Sequence, residues 1–166
     1  MQIAFQTCDL CDVYAADDAA QLRVLPPGFQ HFGGVPAFAG QVVTLKCLED
    51  NTLVKEALQV PGQGRVLVVD GGGSLRRALV GGNLAALAAA QGWAGILVFG
   101  AVRDVQELRA AAVGIAALAL MPLPTQKKGM GLRDIPIEVA GVPVRPGDWL
   151  YADADGVVLG GRPLHD

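Results

Sequence analysis

The apolar positions of this chain cluster in short unbroken runs. Arg65 to Asp70 and Gly95 to Phe99 are apolar between their ends and read as buried strands, the first closed by Gly71-Gly72-Gly73. Between them, Asn83 to Gln91 changes to helical spacing, with Leu84, Leu87 and Ala88 on one face. Val105 to Ala112 is the next helical run and Gly114 to Leu120 the next strand. Strand, helix, strand, helix, strand implies parallel pairing through crossover helices.

On the N-terminal side, Thr7 to Tyr14 reads as a helix, and Leu25 to Gly40, rich in Pro, Gly and Phe, as a long irregular loop. Gln41 to Cys47 alternates as a strand, and Asn51 to Leu58 has helical spacing behind a possible cap at Asn51. The C-terminal third contains short strands, Ile135 to Val139, Asp148 to Ala152 and Val157 to Leu159, separated by Gly, Pro and Asp turns. The expected architecture is α/β: a βαβαβ core with added antiparallel or barrel-like strands.

Composition narrows this picture in three ways. At 166 residues, 52% of them hydrophobic, the chain is expected to form one domain, 1–166, with a sizeable core. No apolar run reaches the roughly 18 residues of a membrane span, and MQIAFQTCDLCD does not resemble a signal peptide, so a soluble cytoplasmic protein is expected. A net charge of −3 with scattered Lys and Arg leaves no basic stripe for nucleic-acid phosphates, which points to small molecules or proteins as partners. Cys8 and Cys11 form a C-x-x-C without the second pair that structural zinc requires. With Cys47 they read as three reduced thiols.

The candidate chemistry lies in G-x20-R-D-x2-E, from Gly82 to Glu107. Gly81-Gly82-Asn83-Leu84 opens a helix whose first amides could dock a carboxylate, although Gly82 or Asn83 could equally be a plain cap. Asp104 and Glu107 fit a capping box, with Asp104 as cap and Glu107 reaching back. Capping leaves Arg103 unexplained, since it follows a strand at the carboxyl end, where ligands bind in open α/β sheets. Both segments precede helices and should emerge at one edge. The glycines Gly71, Gly72 and Gly73 after a strand suggest a nucleotide or S-adenosylmethionine loop, but they lack the distal glycine of a dinucleotide fingerprint and also fit a plain turn. Lys46 and Lys55 lie away from the motif in sequence, which argues against a Schiff-base mechanism.

Several further runs carry a resemblance: Leu10-Cys11-Asp12, F-x-H-F-G-G from Phe29, F-A-G-Q-V from Phe38, K-C-x-E-D-N from Lys46, V-L-V-V-D-G-G-G-S-x-R-R-A-L from Val66, G-A-V-R-D from Gly100 and Y-A-D-x-D-G-V from Tyr151. With these the chain closely resembles the RraA-like family over nearly its whole length. That family comprises regulators of ribonuclease activity and class II 4-hydroxy-4-methyl-2-oxoglutarate aldolases, and its members once carried the label of demethylmenaquinone methyltransferases.

The resemblance implies a swivelling β/β/α domain and a ring-shaped homotrimer with active sites between subunits. In the aldolase branch the motif is functional, and the ribonuclease regulators characteristically replace the aspartate that this chain keeps as Asp104. By that likeness Asp104 is the protein ligand of Mg²⁺ or Mn²⁺, Glu107 orients a metal-bound water, Arg103 binds a small 2-oxo acid, and the amides of Gly81, Gly82, Asn83 and Leu84 bind its carboxylate. Arg103, Asp104 and Glu107 are then the catalytic set of a metal-dependent pyruvate aldolase or oxaloacetate decarboxylase. The alternatives are a protein that binds and inhibits an endoribonuclease such as RNase E, and an S-adenosylmethionine-dependent methyltransferase. Two departures stand out: Asn83 occupies a place where the family often has an acid, and the family's aldolases carry a longer C-terminal segment that supplies an acid across the interface. Phe29, Phe32 and Phe38 are candidates for the subunit interface or, equally, for the chain's own core.

Overall fold

The computed structural model describes residues 2–166. In chain order the elements are α1 (Thr7–Tyr14), β1 (Arg23–Val24), β2 (Gln30–His31), β3 (Phe38–Lys46), α2 (Thr52–Leu58), β4 (Val66–Asp70), β5 (Ala78–Val80), α3 (Gly82–Ala90), β6 (Gly95–Val102), α4 (Val105–Ala110), β7 (Gly114–Leu120), β8 (Leu132–Arg133), β9 (Ile137–Val139), β10 (Val142–Val144), β11 (Trp149–Ala152) and β12 (Val157–Gly160).

Strands β3, β4, β6 and β7 pair in parallel, as the repeated strand–helix spacing implies. Their unbroken apolar sequences are explained by two-sided burial, since a parallel sheet covered on both faces has no polar face to display. One set of side chains, including Leu45, Leu67, Val69, Ile96, Val98 and Ile115, packs under the helices with Val54, Leu58, Ala85, Ala88 and Leu108. The opposite set, including Val42, Val66, Val68, Leu97 and Ala116, packs against Ile137, Val139, Val144, Leu150 and Leu159 of the C-terminal strands. The result is a layer of helices, a central sheet and a second layer of strands. This is the mixed α/β, β/β/α architecture expected from the sequence.

One strand joins the two β layers. The first half of β3 pairs antiparallel with β11, from Phe38 opposite Ala152 to Gln41 opposite Trp149, and its second half pairs in parallel with β4, from Val42 to Lys46. The strand therefore begins at Phe38 and not at Gln41, within the segment expected to be loop. Gly40 sits just before the change of partner, where a Cβ would overlap the Gly64 carbonyl of the approaching chain.

Of the three phenylalanines weighed as interface or core residues, Phe32 and Phe38 resolve toward the core. Phe32 and Phe38 are buried within the chain, and Phe38 lies flat on Gly95 and Gly114, where any Cβ would overlap its ring. Phe29 is partly buried beside Phe99, with ring centroids 6.3 Å apart. Phe32 and Phe38 are accordingly packing residues of their own chain, while Phe29 keeps part of its surface exposed.

Strand β6 also changes partner. It pairs with β4 as far as Phe99 opposite Asp70, and from Ala101 it pairs with β5, which the sequence pattern did not reveal. This extra pairing carries the chain from Val80 directly to the start of α3, beside the end of β6. No helix among the described residues is long and apolar enough to cross a membrane.

Candidate active site

The main-chain bond from Arg103 N to Val80 O (2.9 Å) fixes two segments side by side: Gly81-Gly82 entering α3 and Arg103-Asp104 leaving β6. They lie at the carboxyl end of the parallel sheet, as the sequence reading expected. Asp104 takes the N-cap position of α4 with φ 62° and ψ 50°, a left-handed conformation that Asp tolerates better than most residues. Its carbonyl starts the helix, accepting from Leu108 N at 2.9 Å.

Its side chain does not cap α4, and the capping-box reading is corrected on this point. Asp104 Oδ2 reaches across to α3 and accepts from Gly82 N at 3.0 Å. Glu107 does not close a box either, because its carboxylate packs onto Gly82, where a Cβ would overlap Oε2. At Gly81 a Cβ would stand 2.7 Å from Asp104 Oδ2. The two glycines are thus bare because two carboxylates occupy the space that side chains would fill. It also follows that the amide of Gly82 is already engaged, which leaves Asn83 and Leu84 as the unengaged start of α3 facing the cleft.

Arg103 completes the cluster. Its Nη1 donates to Pro122 O at 3.2 Å, and Nε lies 3.7 Å from Asp104 Oδ2. Both side chains are 38% exposed, so this ion pair contributes little stability, and the guanidinium keeps free N–H groups. The cluster opens into a cleft of about 160 Å³ lined by Gly81, Asn83, Leu84, Arg103 and Asp104 together with Asn51, Lys55 and Lys127.

Asn51, Lys55 and Lys127 were missed in the sequence as lining residues. Lys55 is far from the motif along the chain but lies in the cleft, so the distance argument against a Schiff base does not hold. Asn51 was read as a cap, but its side chain makes no capping bond. Its Nδ2 donates to Leu79 O (3.0 Å) and its Oδ1 accepts from Thr125 Oγ1 (2.7 Å). The capping bond comes from Asp50, whose Oδ1 accepts from Thr52 N and Oγ1 and whose Oδ2 accepts from Lys128 N and Met130 N. Burial alone would raise the Asp50 pKa, but the donors from Thr52, Met130 and Lys128 outweigh it and hold it at about 2. The run K-C-x-E-D-N was the available signal for this part of the lining.

Other candidates resolve toward structure. Gly71 and Gly73 donate to Phe99 O (both 3.1 Å), and Gly72 and Gly73 have positive φ, so this loop is a turn packed on β6 that leads to a strand and not to a helix. Cys8, Cys11 and Cys47 are unpaired, as expected, and burial, with smaller contributions from Asp50 and Asp70, pushes the Cys47 thiol up to about 12.

Among the described residues no group of three or more His, Cys, Asp or Glu is placed to cage a metal. The donors that do converge, Asp104 with Glu107 nearby, suit a hard cation that keeps most of its waters, such as Mg²⁺ or Mn²⁺, better than zinc.

A β/β/α fold with a carboxylate–guanidinium cleft at the sheet's carboxyl end defines a class, and comparison with known proteins identifies it. The family model RraA-like (Aldolase/RraA) matches residues 7–159, and the chain belongs to that family. Among individual relatives, it is 58% identical over 167 residues to a protein of Albidiferax ferrireducens named "Putative 4-hydroxy-4-methyl-2-oxoglutarate aldolase", covering 96% of each chain. A Burkholderia multivorans protein of the same name is 55% identical, covering 98% of this chain and 99% of that one. Among solved structures, the chain is similar to the RNA-processing inhibitor RraA from Thermus thermophilis (TM-score 0.91, 49% identity, 97% and 95% covered). It is also similar to a Geobacillus kaustophilus structure described as an S-adenosylmethionine:2-dimethylmenaquinone methyltransferase (TM-score 0.90, 43% identity, 96% and 97% covered).

Gly82→Ala tests the fit of the two carboxylates. Glu107 is exposed and its carboxylate can swing away, but the new Cβ would also stand 2.7 Å from Glu107 Cβ, so α4 must shift and stability should fall by roughly 1–3 kcal/mol. Mn²⁺ binding, followed by electron paramagnetic resonance, should also weaken at least about tenfold, equivalent to about 1.4 kcal/mol. Unaltered Mn²⁺ affinity in a folded Gly82→Ala protein would show that the Glu107 position is irrelevant to cation binding.

Proposed function

We propose that this chain is a divalent-metal-dependent class II aldolase or decarboxylase of the cytoplasm, acting on small pyruvate-derived 2-oxo acids. The observation that carries this reading is the joint placement of Arg103, Asp104 and the start of α3 on one cleft. Asp104, with Glu107 beside it, would hold Mg²⁺ or Mn²⁺ through a water-rich shell. The cation, when bound, supplies Lewis acidity toward the 2-oxo group.

The chain's own groups supply the rest. The amides of Asn83 and Leu84, at the positive end of α3, receive the substrate carboxylate. The free N–H groups of Arg103 stabilise the negative charge that develops on the ketone oxygen. For a 4-hydroxy-2-oxo acid, the C4 hydroxyl loses its proton, the C3–C4 bond breaks, and its electron pair passes to C3 and the ketone oxygen. C3 then takes up a proton. One 4-hydroxy-4-methyl-2-oxoglutarate gives two pyruvates with no co-reactant, and oxaloacetate gives pyruvate and CO₂ by the same flow of electrons.

A second reading, a protein that binds and restrains an endoribonuclease, is supported by the likeness to the Thermus inhibitor. It gives Asp104 and its bond to Gly82 no task. The methyltransferase reading lacks support in the glycine turn, which opens into no helix.

A homotrimer belongs to the proposal. Leu48, Leu75, Leu120, Leu123, Met130 and Leu132 are exposed apolar residues at the end of the sheet that carries the cleft, which is where a neighbouring subunit would cover them. Light scattering should give about three chain masses, and a monomer with full turnover would contradict a shared site.

The catalytic reading predicts pyruvate release from oxaloacetate or 4-hydroxy-4-methyl-2-oxoglutarate only with Mg²⁺ or Mn²⁺ present. Borohydride should trap no adduct on Lys55. Asp104→Asn should abolish turnover while stability falls by no more than about 1 kcal/mol, since Asn tolerates the left-handed conformation and keeps an acceptor for Gly82 N. Arg103→Lys keeps the charge but loses the planar fork, and should lower kcat/KM at least about tenfold, or about 1.4 kcal/mol. Turnover that survives complete chelation, or a borohydride adduct on Lys55, would replace the metal-dependent reading.

A further inference from the structure

We infer that Arg77, which lies outside the cleft, is a positioning residue for Arg103: it tethers residues 121–125, and the Pro122 carbonyl of that segment sets the Arg103 guanidinium. The inference rests on the enolate role given to Arg103 above and adds what holds that guanidinium in place.

The path of the segment is the first observation. β7 pairs with one edge of β6, and β5 pairs with the other, the edge that β4 vacates. Leaving β7, the chain keeps one bond to β6, from Met121 N to Val102 O at 2.9 Å. Three residues later it is on the β5 side, where Pro124 bridges Ala78 and Leu123 O accepts from Ala78 N at 2.8 Å. Residues 121–125 therefore cross the carboxyl end of β6 as a strap, and Arg103 is the first residue beyond that end.

A strap that crosses a strand end cannot continue the ladder, and its amides would lack ladder partners. Proline removes two of those donors, at positions 122 and 124, and fixes φ at both. What remains is a row of three carbonyls, each taken by a different donor. Pro122 O accepts from Arg103 Nη1 at 3.2 Å, Leu123 O from Ala78 N, and Pro124 O from Arg77 Nη1 at 3.0 Å. Arg77 stands immediately before β5 and Arg103 immediately after β6, so two guanidiniums grip one proline-stiffened run at carbonyls two residues apart.

Arg77 does not line the cleft. It lines a neighbouring cavity of about 140 Å³ with Leu48, Glu49 and Lys128. Arg76 beside it is exposed and pairs with Glu49, whereas Arg77 is half-buried and forms no ion pair among the described residues. Its bond to Pro124 O matters for Arg103, whose other polar contact is the loose 3.7 Å approach to Asp104 Oδ2. If the strap slackens, the Pro122 carbonyl leaves the guanidinium without a partner that fixes its plane, and a planar fork out of register loses its charge-assisted bonds.

The test is a double-mutant cycle on the full chain, read in two ways. One is metal-dependent exchange of pyruvate methyl protons with D₂O. The other is nuclear magnetic resonance of the Arg103 Nε–H group, assigned through its loss in Arg103→Lys. Arg77→Met should lower exchange at saturating pyruvate at least about fivefold while KM changes less than about twofold. Arg77→Lys, which keeps a donor, should recover most of the rate. In the Arg103→Lys background Arg77→Met should cost no further rate, because it acts through Arg103. The Arg103 Nε–H signal should move in Arg77→Met while the main-chain amides of α3 stay in place. Should Arg77→Met fail to fold, Pro124→Gly loosens the strap from within and carries the same expectations. An Arg103 signal that does not move, or equal fractional rate losses in both backgrounds, would overturn the inference. A signal that moves in a protein whose wild type exchanges no pyruvate protons would uphold the tether and count against the enolate reading.

Discussion

The site depends on one piece of main-chain pairing: the three residues of β5 run beside the far end of β6 after β4 has stopped. This pairing sets Val80 against Arg103 and delivers the start of α3 to the start of α4, 22 residues apart in sequence at the Gly82–Asp104 bond. Without β5, the glycines would leave the sheet elsewhere and Asp104 would have no amide to hold. The helices contribute packing beneath the sheet and present their first turns, but the edge-to-edge register of two short strand segments determines which atoms meet.

Once that register is set, the spacing of the motif becomes stereochemistry. Gly81 and Gly82 are required because Asp104 and Glu107 press against their Cα atoms, and the left-handed backbone at Asp104 turns its carboxylate away from its own helix. A residue that caps its helix spends its side chain on the first turn. Asp104 starts α4 with its carbonyl alone, leaving Oδ1 without a hydrogen-bond partner and Oδ2 fixed by Gly82 N. Such a carboxylate is pre-oriented, which limits the reorganisation needed to take a cation.

The parallel core was legible because two-sided burial leaves a plain mark, uninterrupted apolar runs such as Val66–Val69, and because helices of 3.6-residue period separate them. The motif was legible as a set of residue types, and its position at the carboxyl edge followed from strand–helix order. What escaped the sequence was set by partners distant along the chain. Ala78–Val80 is too short to show a period, and Phe38–Gly40 looked like loop because its antiparallel partner, β11, lies more than a hundred residues away. The capping box failed for a related reason: D-x-x-E describes what a carboxylate can do locally, and here the amide of Gly82 competed successfully for it. Lys55 and Lys127 reach the cleft through α2 and through the Asp50 clamp, neither of which is written in local spacing. The phenylalanine-rich segment covers its own core because Gly95 and Gly114 leave a flat bed for Phe38.

The central claim is that this cleft stabilises a pyruvate enolate through Arg103 with a divalent cation held at Asp104. The most direct measurement is exchange of the pyruvate methyl protons with D₂O, followed by nuclear magnetic resonance, because exchange reports enolate formation without requiring the physiological substrate. The account predicts protein-catalysed exchange with Mg²⁺ or Mn²⁺, its loss on chelation and its recovery when metal is restored. Exchange that continues unchanged after chelation, or no exchange by folded protein at saturating metal, would contradict it.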